Sequence, residues 1–217
     1  VLETRNIVIA TGAKPRAITI DGLTAERILT NESIFEQASP PEHLAIVGGG
    51  VIAMEMAFAF AKLGSKVSVI ERNERIFSRM EPEASHILSS RLRDLGVDIY
   101  THASPTRFEE SSQTLTLEQG STPITLKNVD KVLLAAGRVP ATANLGLEDV
   151  GVTFDERGIP TDAYGKTNIS NIYAIGDVNP TSNFTHSANA QGRRLVPRLA
   201  FSQVFSRVPT FGSQPAY

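Results

Sequence analysis

The chain has 217 residues, 41% hydrophobic and 20% charged, with 21 basic and 23 acidic side chains. This is ordinary globular composition, and the near-neutral balance argues against an electrostatic nucleic-acid binder or a polybasic membrane anchor. The sequence holds no cysteine, so disulfides, thiolate metal sites and cysteine nucleophiles are excluded within it, and no apolar run approaches the ~20 residues of a membrane span.

Val1 is not a start methionine, and Leu2-Glu3-Thr4-Arg5 is no signal peptide. The chain is therefore expected to be a piece of something longer or a processed product, with the cytoplasm as default location. The run Arg5–Ala10, closed by Thr11-Gly12, predicts a buried strand. Pro15 and Gly22 mark a loop, residues 31–38 a short helix, and Ser39-Pro40-Pro41 a linker, since consecutive prolines cannot continue a helix. His43–Val47 predicts a strand, Gly48-Gly49-Gly50 a tight turn, and Val51–Leu63 a helix apolar almost all round, hence buried. Gly64 ends it as a left-handed cap, and Lys66–Ile70 is a second strand, completing a β-α-β unit with a right-handed crossover.

Pro82 opens a further helix, for which Ile87, Leu88, Leu92 and Leu95 predict one apolar face. Strand 97–101 follows. A polar antiparallel meander is expected over 107–109, 114–117 and 124–126. Residues 131–136 and 172–175 read as buried strands ended by Gly137 and Gly176. A helix is expected from Ser187 to about Leu199, and a loop-like tail after Arg207.

Gly48-Gly49-Gly50-Val51-Ile52-Ala53 fits the G-x-G-x-x-G/A pattern between strand and helix. Gly48 permits the tight turn. Gly50 lets the backbone approach a pyrophosphate, and Ala53 lets helix and strand lie close. The helix N-terminus supplies free N–H groups for phosphates. Glu71 closes the second strand, 21 residues after Gly50, where a carboxylate can accept from ribose hydroxyls. It favours NAD over NADP, because it repels a 2′-phosphate. Arg72 and Arg75 can bind that phosphate or lie in a solvated loop, so NADP stays open. Asp177, at its strand end, can accept from a ribityl hydroxyl or cap a turn. The four histidines show no metal spacing. The basic residues Arg193, Arg194 and Arg198 suit an exposed helix face better than nucleic acid.

Together the stretches 7–12, 46–71, 136–140 and 172–177 resemble the pyridine nucleotide-disulfide oxidoreductases. The order and spacing fit across nearly the whole chain. The resemblance implies an α/β fold of two Rossmann-like, three-layer domains, with the nicotinamide domain inserted into a partial FAD domain. The implied segments are 1–41 (FAD), 42–130 (NAD(P)) and 131–217 (FAD). It places Gly48, Gly50, Val51 and Ile52 at the pyrophosphate and Gly137 and Arg138 beside the dinucleotide, which Glu71 and Arg72, read above from charge and position, would meet at the adenosine ribose. Glu55 matches the glutamate near the nicotinamide and flavin. Thr11, Gly12, Gly176, Asp177, Thr185, His186 and Ser187 match flavin contacts, with the helix start at 185–187 facing the pyrimidine ring.

The family's first glycine motif, its redox cysteine pair and its dimerisation domain have no counterpart here. The resemblance thus implies a fragment of a flavin-dependent oxidoreductase carrying hydride from NAD(P)H to FAD and onward to a disulfide or other acceptor. Alone it is expected to be inactive, with FAD binding weak or absent. A non-catalytic dinucleotide-binding module and a split enzyme completed by another chain remain alternatives. An uncovered sheet edge or apolar face is expected, leading to self-association.

Overall fold

The computed structural model describes residues 3–120, 122–181 and 184–200. The tail expected to be loop-like after Arg207 lies outside the described residues. In chain order the early strands are β1 (Ile7–Ile9), β2 (Ala13–Pro15), β3 (Ile28–Leu29) and β4 (His43–Val47), followed by helix α1 (Val51–Lys62) and strand β5 (Lys66–Ile70). Helix α2 (Pro82–Asp94) precedes β6 (Asp98–Tyr100), β7 (Ala103–Glu109), β8 (Thr114–Gln119), β9 (Thr122–Leu126) and β10 (Lys131–Leu134). The last elements are β11 (Arg138–Pro140), β12 (Ile172–Ala174) and α3 (Thr185–Ala200).

The chain divides into two compact units: Pro15–Gly137, and the flanking segments Val1–Lys14 with Arg138–Tyr217. This division falls elsewhere than the expected boundaries after residues 41 and 130. The reason is strand pairing. Val132 and Leu133 pair with Ile28 and Leu29 on one side and with Ala45 and Ile46 on the other. Residues 28–29 and 131–134 are thus strands of the same sheet as β4.

That sheet runs β3-β10-β4-β5-β6, with every pair parallel. Parallel strands need covered faces, and the strand sequences meet that need with near-continuous apolar runs. Leu44, Ile46, Val67, Val69 and Leu133 point to one side, against Ala53, Met54, Ala57 and Phe60 of α1 and Leu92 of α2. Ala45, Val47, Ile70, Val132 and Leu134 point to the other, against Phe108, Leu115, Leu117 and Leu126 of the antiparallel β7-β8-β9 meander. Each such fully buried large side chain stabilises the unit by roughly 1.5–3 kcal/mol. The meander, expected to be polar, therefore has one apolar face: its residues alternate at the strand period of two.

Both helices depart from their expected burial. Helix α1 is not buried all round, because Val51, Glu55 and Ala59 form an exposed stripe at helical spacing. In α2 the packed line is Ser85–Leu88–Leu92, with Ser85 Oγ donating to the Ile76 carbonyl at 2.7 Å. Ile87 and Leu95 lie off it and are 60% and 38% exposed.

The other unit pairs β1 with β12 in parallel. Its core gathers Leu147, Val152, Ile159, Ile172, Ala174 and Val178, and Ile9 packs against it. Strand β1 was expected to be buried. Ile7 and Val8 are exposed, because among the described residues only β12 pairs with β1. Helix α3 starts two residues earlier than expected and carries Pro197 within it.

Candidate functional site

In the Pro15–Gly137 unit the strand order reverses direction at β4, which is flanked by β5 on one side and β10 on the other. Parallel sheets bind ligands at the carboxyl ends of strands at such a point. The glycine turn sits there. Gly48 has φ +118°, and a Cβ on it would stand 2.6 Å from the Ala135 carbonyl oxygen. Gly48 N–H donates to the Ile70 carbonyl at 2.8 Å, and the Gly49 carbonyl accepts from Phe77 N–H. Gly50 is the residue preceding α1, and a Cβ there would meet nothing within 4 Å among the described residues. Among the described residues no side chain caps α1, and its first regular bond runs from Met54 N–H to the Gly50 carbonyl. The N–H groups of the first turn, including those of Val51 and Ile52, thus lack intrahelical acceptors beside open space. These free donors and the open space beside Gly50 fit a dinucleotide pyrophosphate.

Glu71 follows β5 and is buried, 7% exposed. Its Oε1 accepts from Asn73 N–H at 2.8 Å and from Asn73 Nδ2 at 2.6 Å. Its Oε2 faces Gly49, 2.7 Å from where a Cβ would stand. Arg72 is exposed, whereas the Arg75 guanidinium donates to the Met80 and Ser78 carbonyls and so braces its own loop. Glu55 lies on the exposed stripe of α1, four residues beyond Val51. Gly137, φ +113°, ends this unit, and its carbonyl accepts from Arg16 N–H.

A second cleft, of about 380 Å³, lies in the other unit, lined by Gly12, Arg138, Gly176, Asp177, Thr185 and Ala188 among others. It joins the end of β1, the end of β12 and the start of α3. Gly12 and Gly176 have φ of +72° and +73°. Gly176 N–H donates to Gln191 Oε1 at 2.7 Å, which ties the strand end to α3. Thr11 Oγ1 donates to the Ala141 carbonyl, so this hydroxyl serves the scaffold. His186 is exposed and stacks on Phe184 with ring centroids 5.3 Å apart, and Ser187 is half-buried.

Arg138 lines this cleft. One of its Nη atoms donates to the Ala13 carbonyl, and its Nε stands 3.8 Å from Asp177 Oδ2. That Nε is buried with no hydrogen-bond acceptor among the described residues. A cleft edged by two glycines, a carboxylate and an underused guanidinium fits a polar ligand chain such as a ribityl group.

The chain matches the pyridine nucleotide-disulphide oxidoreductase family profile over residues 1–192. The chain belongs to this family. Relatives include dihydrolipoyl dehydrogenase of Chlamydia trachomatis serovar D, 37% identical over 195 residues, covering 88% of this chain and 41% of that protein. Trypanothione reductase of Trypanosoma congolense is 34% identical, covering 99% of this chain and 42% of the relative. Mercuric reductase of Streptomyces lividans is 37% identical, covering 88% and 40%. A solved structure of similar fold is the copper(II) complex of the HOCl-induced flavoprotein disulfide reductase RclA from Escherichia coli. It has TM-score 0.80 and 31% identity, covering 90% of this chain and 44% of that one. The chain thus spans about two fifths of the length of the curated relatives it matches. These neighbours agree with the α/β class and parallel sheet described above.

Among the described residues no group of His, Cys, Asp or Glu is placed to hold a metal ion. None of the described helices is long and apolar enough to cross a membrane. Sequence reasoning singled out Glu71 but missed Asn73, which sits two residues on and fills one of its oxygens. An Asn at i+2 of a carboxylate at a strand end was the available signal.

Proposed function

We propose that this chain carries the pyridine-nucleotide unit and part of the flavin unit of an oxidoreductase that moves hydride from NAD(P)H to FAD, and from there electrons to a disulfide or other acceptor. The observation that carries this reading is the glycine turn at the reversal point of the sheet, with the open Gly50 and the buried Glu71 beside it. The bound cofactors supply the hydride chemistry, from the nicotinamide to the flavin. The chain's residues bind and orient.

In this reading the unit 15–137 is the nicotinamide domain. Gly48, Gly50 and the first-turn N–H groups of Val51 and Ile52 hold the pyrophosphate, with the helix dipole favouring its negative charge. Glu71 accepts from an adenosine ribose hydroxyl and so favours NAD over NADP. Exposed Arg72 is the cation nearest in sequence that can meet a 2′-phosphate. Glu55 serves the nicotinamide end and Gly137 the segment beside it. Gly12, Gly176 and Asp177 hold the ribityl chain, and Thr185, His186 and Ser187 offer the start of α3 to the flavin ring. Its positive dipole end favours negative charge on a reduced flavin. Arg138 lines the flavin cleft, so we assign it there as well as to the dinucleotide segment.

The absence of cysteine from these 217 residues favours a second reading, a dinucleotide-binding module without dithiol chemistry. Exposed Ile7 and Val8 on β1 support self-association or a complementing chain. The test supplies FAD and NADH to the purified chain and follows NADH oxidation and the flavin spectrum. NADH consumption well above that of free FAD supports the oxidoreductase reading. NADH binding without oxidation supports the module.

A further inference from the structure

Glu71 is a buried carboxylate whose two oxygens are treated differently. Oε1 accepts two N–H bonds, both from Asn73, at 2.8 Å and 2.6 Å. A carboxylate oxygen has two lone pairs, so Oε1 is filled. Oε2 has no donor among the described residues and lies over Gly49, in the turn whose neighbour Gly50 is open. No Lys, Arg or His pairs with Glu71 among the described residues. The two Asn73 bonds are thus the local stabilisation of this charge, and charge-assisted bonds of this kind are the strong ones. Asn73 is itself held, since its Nδ2 also reaches Ser78 Oγ at 3.4 Å. The loop that carries both is fastened to the glycine turn by the bond from Phe77 N–H to the Gly49 carbonyl.

We propose that Asn73 is the positioning residue that sets the dinucleotide preference of this chain. It fixes the Glu71 carboxylate so that a single oxygen, Oε2, faces the ligand. The ligand group recognised is one ribose hydroxyl donating to Oε2, not a diol chelated by both oxygens. A 2′-phosphomonoester has no hydroxyl there and meets a fixed negative charge. Without the Asn73 amide, Oε1 loses one of its two donors. The carboxylate is then free to turn from the glycine face toward solvent. This inference rests on the dinucleotide reading of the glycine turn.

The test is calorimetric titration of the chain and two variants with NADH and with NADPH. Asn73→Ala lowers NADH affinity about tenfold, the size of one charge-assisted bond, and leaves NADPH affinity within about twofold. The NADH-to-NADPH ratio therefore falls. Asn73→Ser keeps a short donor at the same position and restores most of the ratio. A purely structural role for Asn73 would weaken both ligands alike. An unchanged ratio in Asn73→Ala, or equal loss for both ligands, overturns the proposal while the dinucleotide reading stands. Wild-type chain that binds neither ligand overturns that reading itself, and the inference with it.

Discussion

Gly48 stands directly under the carbonyl of Ala135: a Cβ on Gly48 would lie 2.6 Å from that oxygen and 2.7 Å from its carbon. The contact is with backbone held on both sides. Ala135 N–H donates to the Val47 carbonyl at 2.8 Å, and Gly48 N–H donates to that of Ile70. Neither strand end can shift without breaking a sheet bond. The φ of +118° adds backbone strain for any other residue. Gly48→Ala is therefore expected to destabilise the 15–137 unit by about 3 kcal/mol or more and to abolish NADH binding. Urea denaturation compared with wild type checks the first, and calorimetry the second.

Gly49→Ala should behave differently. The atom nearest a new Cβ is Glu71 Oε2 at 2.7 Å, the end of a side chain that can give way at the cost of its Asn73 bonds rather than of a sheet bond. The Ile76 Cα at 3.1 Å yields less easily. The expected outcome is a milder stability loss of about 1–2 kcal/mol, with NADH affinity down at least tenfold because Glu71 is pushed aside. The two readouts separate: urea midpoints fall less than for Gly48→Ala, and binding falls nonetheless.

His43 gives the unit a pH dependence. It is 3% exposed, with Nδ1 donating to the Lys127 carbonyl and Nε2 accepting from Ser68 Oγ, both at 3.0 Å. Burial pushes its pKa below the usual 6.5, against the opposing pull of the Lys127 carbonyl. The unfolded chain therefore binds more protons than the folded one below that value. The stability from neutral His43 is fully present above pH 6.5. It is lost as pH falls toward the lowered folded value. Urea midpoints of wild type should fall between about pH 7.5 and about pH 5 more steeply than those of His43→Gln. Equal slopes would remove His43 as the cause.

Arg27 clamps the start of the sheet to the meander. Its Nε and Nη2 donate to Glu110 Oε1 at 2.9 Å and 2.7 Å, its Nη1 donates to the Asp130 carbonyl, and its guanidinium lies 5.9 Å from the Phe108 ring centroid. The Arg27 side chain is 18% exposed, so screening is only partial. Arg27→Met is expected to cost about 2 kcal/mol, read in the same urea titration.

The segment from His43 to Glu71 was legible in the sequence almost to the residue, because apolar runs, glycines and a left-handed cap at Gly64 all agree there. Strands β2, β3 and β11 were not: each has two or three residues, β2 and β11 contain proline, and none has enough length to show a period. Without β3, the membership of β10 in the inserted sheet was also hidden. In α2, Ser85 occupies a packed position that hydrophobicity does not flag. Ile87 and Leu95 drew the expected face the wrong way. At the site, residue types at strand ends pointed to Glu71 and Asp177. The seat of Arg138 beside Asp177 depends on backbone paths that no spacing encodes.

The most direct test of the account is calorimetric titration of the purified chain with NADH, beside the Glu71→Ala variant. Wild type is expected to bind saturably and Glu71→Ala at least tenfold more weakly, while the variant keeps a cooperative urea transition at a midpoint lowered by the loss of the two Asn73 bonds. No heat of binding in wild type, or equal affinity in the two proteins, would contradict the assignment of the glycine turn and Glu71 as the dinucleotide site.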